Sequence, residues 1–191
     1  MNTTALSLRR TVLAWLLGFL ALGGGGSRLA AKCFPELQVP SVDWLGRNGA
    51  GYDVFDDVAF SQTVNFTVTK RGNDCPIFVT FSKNTPGNDP RTMTSGGDVL
   101  KYQIYDTTSL RNVLKDLPSA SPAEVISGSF ASNEKLLQLS FVIAIPPLQI
   151  RSPGRYTDSV RVSLYTGDRT DATLVQSVVI QISARVPAVT R

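Results

Sequence analysis

Residues 154–165 read G-R-Y-T-D-S-V-R-V-S-L-Y, directly after a turn signal at Ser152-Pro153. One parity carries Tyr156, Asp158, Val160, Val162 and Leu164; the other carries Arg155, Thr157, Ser159, Arg161 and Ser163. A two-residue period marks a strand with one buried and one wet face. The same reading extends outward along the chain. Val64, Phe66 and Val68 alternate with Thr and Asn, and Ile77, Val79 and Phe81 follow after a turn at residues 70–74. These two runs are expected to lie side by side, antiparallel. Leu100, Tyr102 and Ile104 mark another strand, residues 125–130 a short one, and Leu137, Leu139, Phe141, Ile143 and Ile145 a strong one. Pro146-Pro147 ends the last of these, since proline donates nothing to a ladder. The final strand covers residues 174–186, with Leu174, Val178, Ile180, Ile182, Ala184 and Val186 on one parity and Gln176 as the polar intruder.

The segments between are rich in turn formers. Residues 37–45 offer only a short strand, residues 83–98 read as a loop, and residues 106–122 leave room for one helical turn near 110–117. Six to eight strands and no long helix predict an all-β fold, an antiparallel sandwich of immunoglobulin-like type.

Residues 1–31 read as a signal peptide: Arg9 and Arg10 precede an apolar run over residues 11–22, followed by small residues. The run is shorter than the roughly 20 residues that span a bilayer, so no permanent membrane anchor is expected. A lipid-acceptor reading of Cys33 meets the intervening Lys32. The expected mature domain, exported through the Sec pathway, is residues 32–191, with cleavage near Gly23 or Ser27 as the alternative to cleavage after Ala31. Without Arg9, Arg10 and Arg28 the 19 basic residues fall to 16 against 15 acidic ones, a net charge near +1. A charge so close to balance argues against a nucleic-acid partner. Cys33 and Cys75 are the 2 cysteines, and an even count in an oxidising compartment predicts a disulfide. Without histidine they make half a zinc site at best.

Several features in order resemble the spore coat protein U domain family, which includes subunits of archaic chaperone–usher pili. They are a cysteine just after the leader and a second beside a Thr-Val-rich strand, then Arg91-x-Met93. Next come L-x-Y-x-x-Y at residues 100–105, G-x-Y-x-D-x-V at residues 154–160 and L-Y-x-G at residues 164–167. The resemblance implies a pilus subunit serving surface attachment or biofilm formation, found in the periplasm and then at the cell surface. It implies an immunoglobulin-like sandwich lacking one strand, with the gap filled by a partner's strand. The implied partners are a periplasmic chaperone, an outer-membrane usher and other pilus subunits. Gly154, Tyr156, Asp158, Val160, Val162 and Leu164 would then border the gap.

The chain departs from that pattern in two ways. No alternating apolar donor segment stands ahead of Cys33, and residues 174–186 add a strand after the motif. Leu174, Val178, Ile180, Ile182 and Val186 are therefore candidates to close the sandwich from within. A stand-alone, self-complete adhesin or ligand-binding sandwich is the alternative, with Trp44, Tyr52, Phe55 and the 83–98 loop as its surface.

An enzyme is not expected, and neither is a cofactor. The chain has 0 histidines, which removes His-based triads and His-ligated metals. Asp53, Asp56, Asp57, Asp106 and Asp158 are the available carboxylates, and nothing in their spacing singles out an acid/base pair. The Gly run at residues 23–26 lacks the lysine of a phosphate loop. The N-x-T at Asn65 reads as strand chemistry.

Overall fold

The computed structural model describes residues 32–188, except 48, 83–89 and 132. The expected leader and residues 83–89 of the expected loop lie outside the described residues. Ten strands are present among them: β1 (Phe34–Gln38), β2 (Val42–Trp44), β3 (Phe60–Arg71), β4 (Pro76–Phe81), β5 (Arg91–Ser95), β6 (Asp98–Tyr105), β7 (Ile126–Ser129), β8 (Leu136–Ile145), β9 (Gly154–Thr166) and β10 (Thr173–Val186).

One layer has the order β1-β3-β8-β6 and the other β7-β4-β9-β10-β2; β5 pairs with β6 and touches β9 at Thr94 and Thr157, joining the two. Neighbours are antiparallel except β2, which runs parallel to β10 through Ile182–Val42, Ser183–Asp43 and Ala184–Trp44. An immunoglobulin constant-type sandwich carries strands A, B, E and D in one sheet and C, F and G in the other. Taking β1 with β2 as A, then β3, β4, β6, β8, β9 and β10 as B to G, the observed orders coincide with that plan. The position of strand G is held by β10 of the same chain.

Alternation places the core between the layers. Val64, Phe66 and Val68 of β3, Phe141, Ile143 and Ile145 of β8, and Val160, Val162 and Leu164 of β9 are all buried there. Phe81 of β4 meets Phe141 of β8 at 5.0 Å between ring centroids. Cys33 and Cys75 form a disulfide, tying the residue before β1 to the residue before β4.

Three local expectations are corrected. The strands at residues 64–68 and 77–81 are not neighbours, because the turn between them crosses layers: β3 pairs with β1 and β8, β4 with β7 and β9. β4 is central in its sheet, and its outer face is covered too. Phe78 stacks on Tyr165 at 5.1 Å and joins a second small core with Ala120 and Val125.

The expected 83–98 loop contains β5, which forms a hairpin with β6 through Gly96 and Gly97, both at positive φ. Two consecutive left-handed residues make the tight turn that suits a hairpin, and glycine takes that conformation at little cost. In β5 the inward residues are Arg91 and Met93, so an arginine at a core position hid the strand from a hydrophobic pattern. The third correction concerns residues 110–117, which form no helix. Val113 bridges to Tyr105, and the one short 3-10 turn of the region is Pro122–Glu124.

Candidate functional site: the motif cluster and the closing strand

The residues that carry the sequence motif converge at β5, β6 and β9. Tyr156, Val160, Val162 and Leu164 lie on the inner face of β9 and are fully buried, as the alternation predicts. Gly154 opens the strand beside the end of β5: a Cβ there would stand 3.0 Å from the Ser95 hydroxyl. Close approach, not an unusual backbone angle, is what this position asks of glycine.

Two tyrosine–aspartate pairs cross between the layers in opposite directions. Tyr102 of β6 donates its hydroxyl to Asp158 of β9 at 2.6 Å. Tyr156 of β9 donates to Asp98 of β6 at 2.8 Å, with the Ser152 carbonyl a further acceptor at 2.9 Å. A buried hydroxyl with a carboxylate acceptor makes a charge-assisted bond stronger than a neutral one. Burial, then the Asp158 charge, raises the Tyr102 hydroxyl pKa. Burial, reinforced by Asp98, pushes Tyr156 up to about 12. Both therefore remain protonated donors at neutral pH.

Asp98 also accepts from the amides of Ser152 at 2.9 Å and Val99 at 2.8 Å. The Ser152 amide first, then the Tyr156 hydroxyl, hold its pKa down at about 2. Arg91, nearly fully buried, donates to the carbonyls of Ser82 at 2.6 Å, Phe81 at 2.9 Å and Leu114 at 2.8 Å. The motif is thus a framework of long-range bonds between strands. Pattern reading found Tyr156, Asp158 and Tyr102 but not Asp98, which opens β6 directly after the Gly96-Gly97 turn, 58 positions from its tyrosine.

The closing strand lies alongside. β10 pairs antiparallel with β9 from Val186–Gly154 to Thr173–Thr166. Ile180, Ile182, Ala184 and Val186 are buried and Val178 is half-buried, on the expected face. Leu174 departs from it. A bulge between Leu174 and Gln176 shifts the register, so Leu174 stands opposite Tyr165 and is exposed. One inserted residue turns every side chain beyond it to the other face.

Gln176 has a partner across the layers. Its side-chain carbonyl accepts from the Leu37 amide at 2.8 Å, and its NH₂ donates to the Leu37 carbonyl at 3.2 Å. One amide side chain thereby supplies the two bonds a neighbouring strand would give, closing the seam between β1 and β10.

The remaining candidates are dispersed. Trp44 and Tyr52 are core residues, their rings 6.2 Å apart, while Phe55 is exposed. The surface expected of these three is therefore reduced to Phe55, because Trp44 of β2 and Tyr52 of the 45–59 connection are packed inward. Asp106 accepts from Asn112, and Asp53 and Asp56 cap backbone amides in the 45–59 connection. Both thiols are consumed in the disulfide, and among the described residues no three metal-ligating side chains converge.

Comparison with known proteins gives a family and a set of distant likenesses. The CooA pilin subunit of enterotoxigenic Escherichia coli is 13% identical, over 81% of this chain and 99% of that one, with a TM-score of 0.47. Self-complemented MyfA, the major subunit of Myf fimbriae from Yersinia enterocolitica, is 13% identical over 80% and 98%, at 0.38. The CsuC–CsuE chaperone–tip adhesion subunit complex of Acinetobacter baumannii matches at 14% identity over 79% and 60%, at 0.41. At these scores the strand order above, rather than the likeness, carries the fold. No curated protein matches the chain significantly. The model of the Spore Coat Protein U domain matches residues 45–163, more than half of the chain, from the end of β2 into β9. The chain belongs to the Spore Coat Protein U domain family.

Proposed function

We propose that this chain is an exported structural protein of the chaperone–usher pilus type that closes its own sandwich and serves attachment at the cell surface. It acts as a stand-alone or terminal component, without enzymatic activity. The observation that carries this reading is the pairing of β10 along β9 at the strand G position. A partner's strand added to β9 would need the edge that β10 occupies. The family match ends at Ser163, so β10 is an addition to the matched region. The chaperone, the usher and neighbouring subunits are the partners that the family implies.

A second reading is favoured by the first half of β10. Leu174, Val175 and Val179 are exposed there, and Gln176 makes its side-chain link to β1. A strand held in this way could be exchanged for a donor strand during pilus assembly.

Refolding separates the two. The chain from Lys32 onward is expected to refold alone into a monomer with one sharp unfolding transition. A variant ending at Asp171 is expected to aggregate, and a peptide of residues 172–188 to rescue it. A full chain that folds only with a periplasmic chaperone overturns the first reading in favour of the second.

A further inference from the structure

At one end of the sandwich the connections 45–59 and 146–153 meet, and four large apolar side chains stand out of residues 55–58 and 148–150. Phe55 is 70% exposed, Val58 53%, Leu148 62% and Ile150 79%. Loose chain does not account for this exposure, because the backbone is tied at several points. The Leu148 amide donates to the Asp56 carbonyl at 3.2 Å. Buried Tyr52 donates its hydroxyl to the Pro146 carbonyl at 3.0 Å and accepts from the Gln149 amide at 2.7 Å. Leu148 itself sits at φ 57°, a left-handed conformation that costs a leucine energy. A clustered apolar surface on a fixed framework marks an interaction site.

Charge says what covers it. Beneath Phe55 and Val58 lies a cleft of about 580 Å³ whose charged lining is Asp53, Asp56, Asp57 and Arg47. Arg47 stands 3.6 Å from Asp56, and among the described residues no cation stands within ion-pair distance of Asp53 or Asp57. We propose that this end binds an extended segment of a partner protein in which a lysine or arginine is flanked by apolar residues. The apolar side chains lie on Phe55, Val58, Leu148 and Ile150, and the cation enters the cleft toward Asp53 and Asp57. Phe55 adds an aromatic face for the cation. The proposal rests on β10 staying in place, because Pro187 and Ala188 behind it line the cleft and the Tyr52 amide donates to the Arg185 carbonyl at 2.7 Å. A chain that refolds as a monomer and binds neither of the probes below therefore fails this proposal alone.

The test is an NMR titration of the isotope-labelled chain with two probes, acetyl-Leu-Lys-Leu-Lys-Leu-amide and its Glu counterpart. Shifts confined to residues 45–58 and 146–151, with the Lys probe at least ten-fold tighter, are expected. The Asp53→Asn/Asp57→Asn double variant, which keeps an acceptor oxygen at each position, should bring the two probes within about two-fold. Phe55→Ser should weaken the Lys probe without altering the unfolding midpoint. Equal affinity of the two probes, shifts scattered over the chain, or no shifts would each overturn the proposal.

Discussion

At the scale of single residues, Asp98 carries the sharpest prediction. Its carboxylate gathers the Ser152 and Val99 amides and the Tyr156 hydroxyl, and its pKa is held at about 2 against an ordinary 3.8. A depressed folded-state pKa means that the unfolded chain binds a proton first as pH falls. The contribution is therefore complete above about pH 4, declines below it and is gone below about pH 2. Urea midpoints measured from pH 6 to 2 should fall in that window for the parent chain. Asp98→Asn should be less stable at neutral pH and show a flatter profile, and an unchanged slope would remove Asp98 from the account. Tyr156 gives the opposite arm: with its hydroxyl pushed up to about 12, its stabilisation should be lost as pH rises through the range 10 to 12. The inward parity of Tyr156 and Asp158 was legible in residues 154–165. Their partners were not, because a hydrogen bond across the layers leaves no periodic trace at either end.

At the scale of elements, alternation revealed strands whose inner faces are apolar and missed those that break the rule for a reason. β5 escaped because Arg91 takes a core position, where its two terminal nitrogens donate to three carbonyls. The parity of β10 held for Val178, Ile180, Ile182 and Val186 and failed at Leu174, where the bulge intervenes. Gln176, the polar intruder on that face, proves to be the link to β1. Replacing it with leucine leaves the Leu37 amide and carbonyl without their partner at a buried residue. The expected cost is about 1–3 kcal/mol, the penalty for stranding buried polar groups. Gln176→Glu retains an acceptor for the Leu37 amide but presents a second acceptor to the Leu37 carbonyl, and should be destabilised as well. Hydrogen exchange at Leu37 reads this directly: faster exchange in Gln176→Leu is expected, and unchanged protection would mean that the seam closes without the clamp.

At the scale of the whole molecule, composition and strand spacing were enough for a sandwich, but strand order was not. Which strand follows which in a sheet depends on pairings between residues far apart in the chain, and local pattern does not encode them. The misplacement of β3 beside β4 shows the difficulty, since a short turn joins strands of opposite layers. The disulfide is the one long-range link that residue counting did indicate, and it spans this same crossing. With a sequence separation of 42 from Cys33 to Cys75, the chain-entropy account assigns it roughly 4 kcal/mol. Its position adds a prediction about where the loss is felt. Cys33 precedes β1, whose seam with β10 is bridged by Gln176, whereas β9 is paired on both sides. A Cys33→Ala/Cys75→Ala variant should therefore lower the unfolding midpoint and raise amide exchange first in β1, ahead of β9. Reduction of the parent chain by dithiothreitol should reproduce both effects. Uniform acceleration across all strands would mean that the bridge acts only on the unfolded chain and does nothing to hold the β1 seam shut.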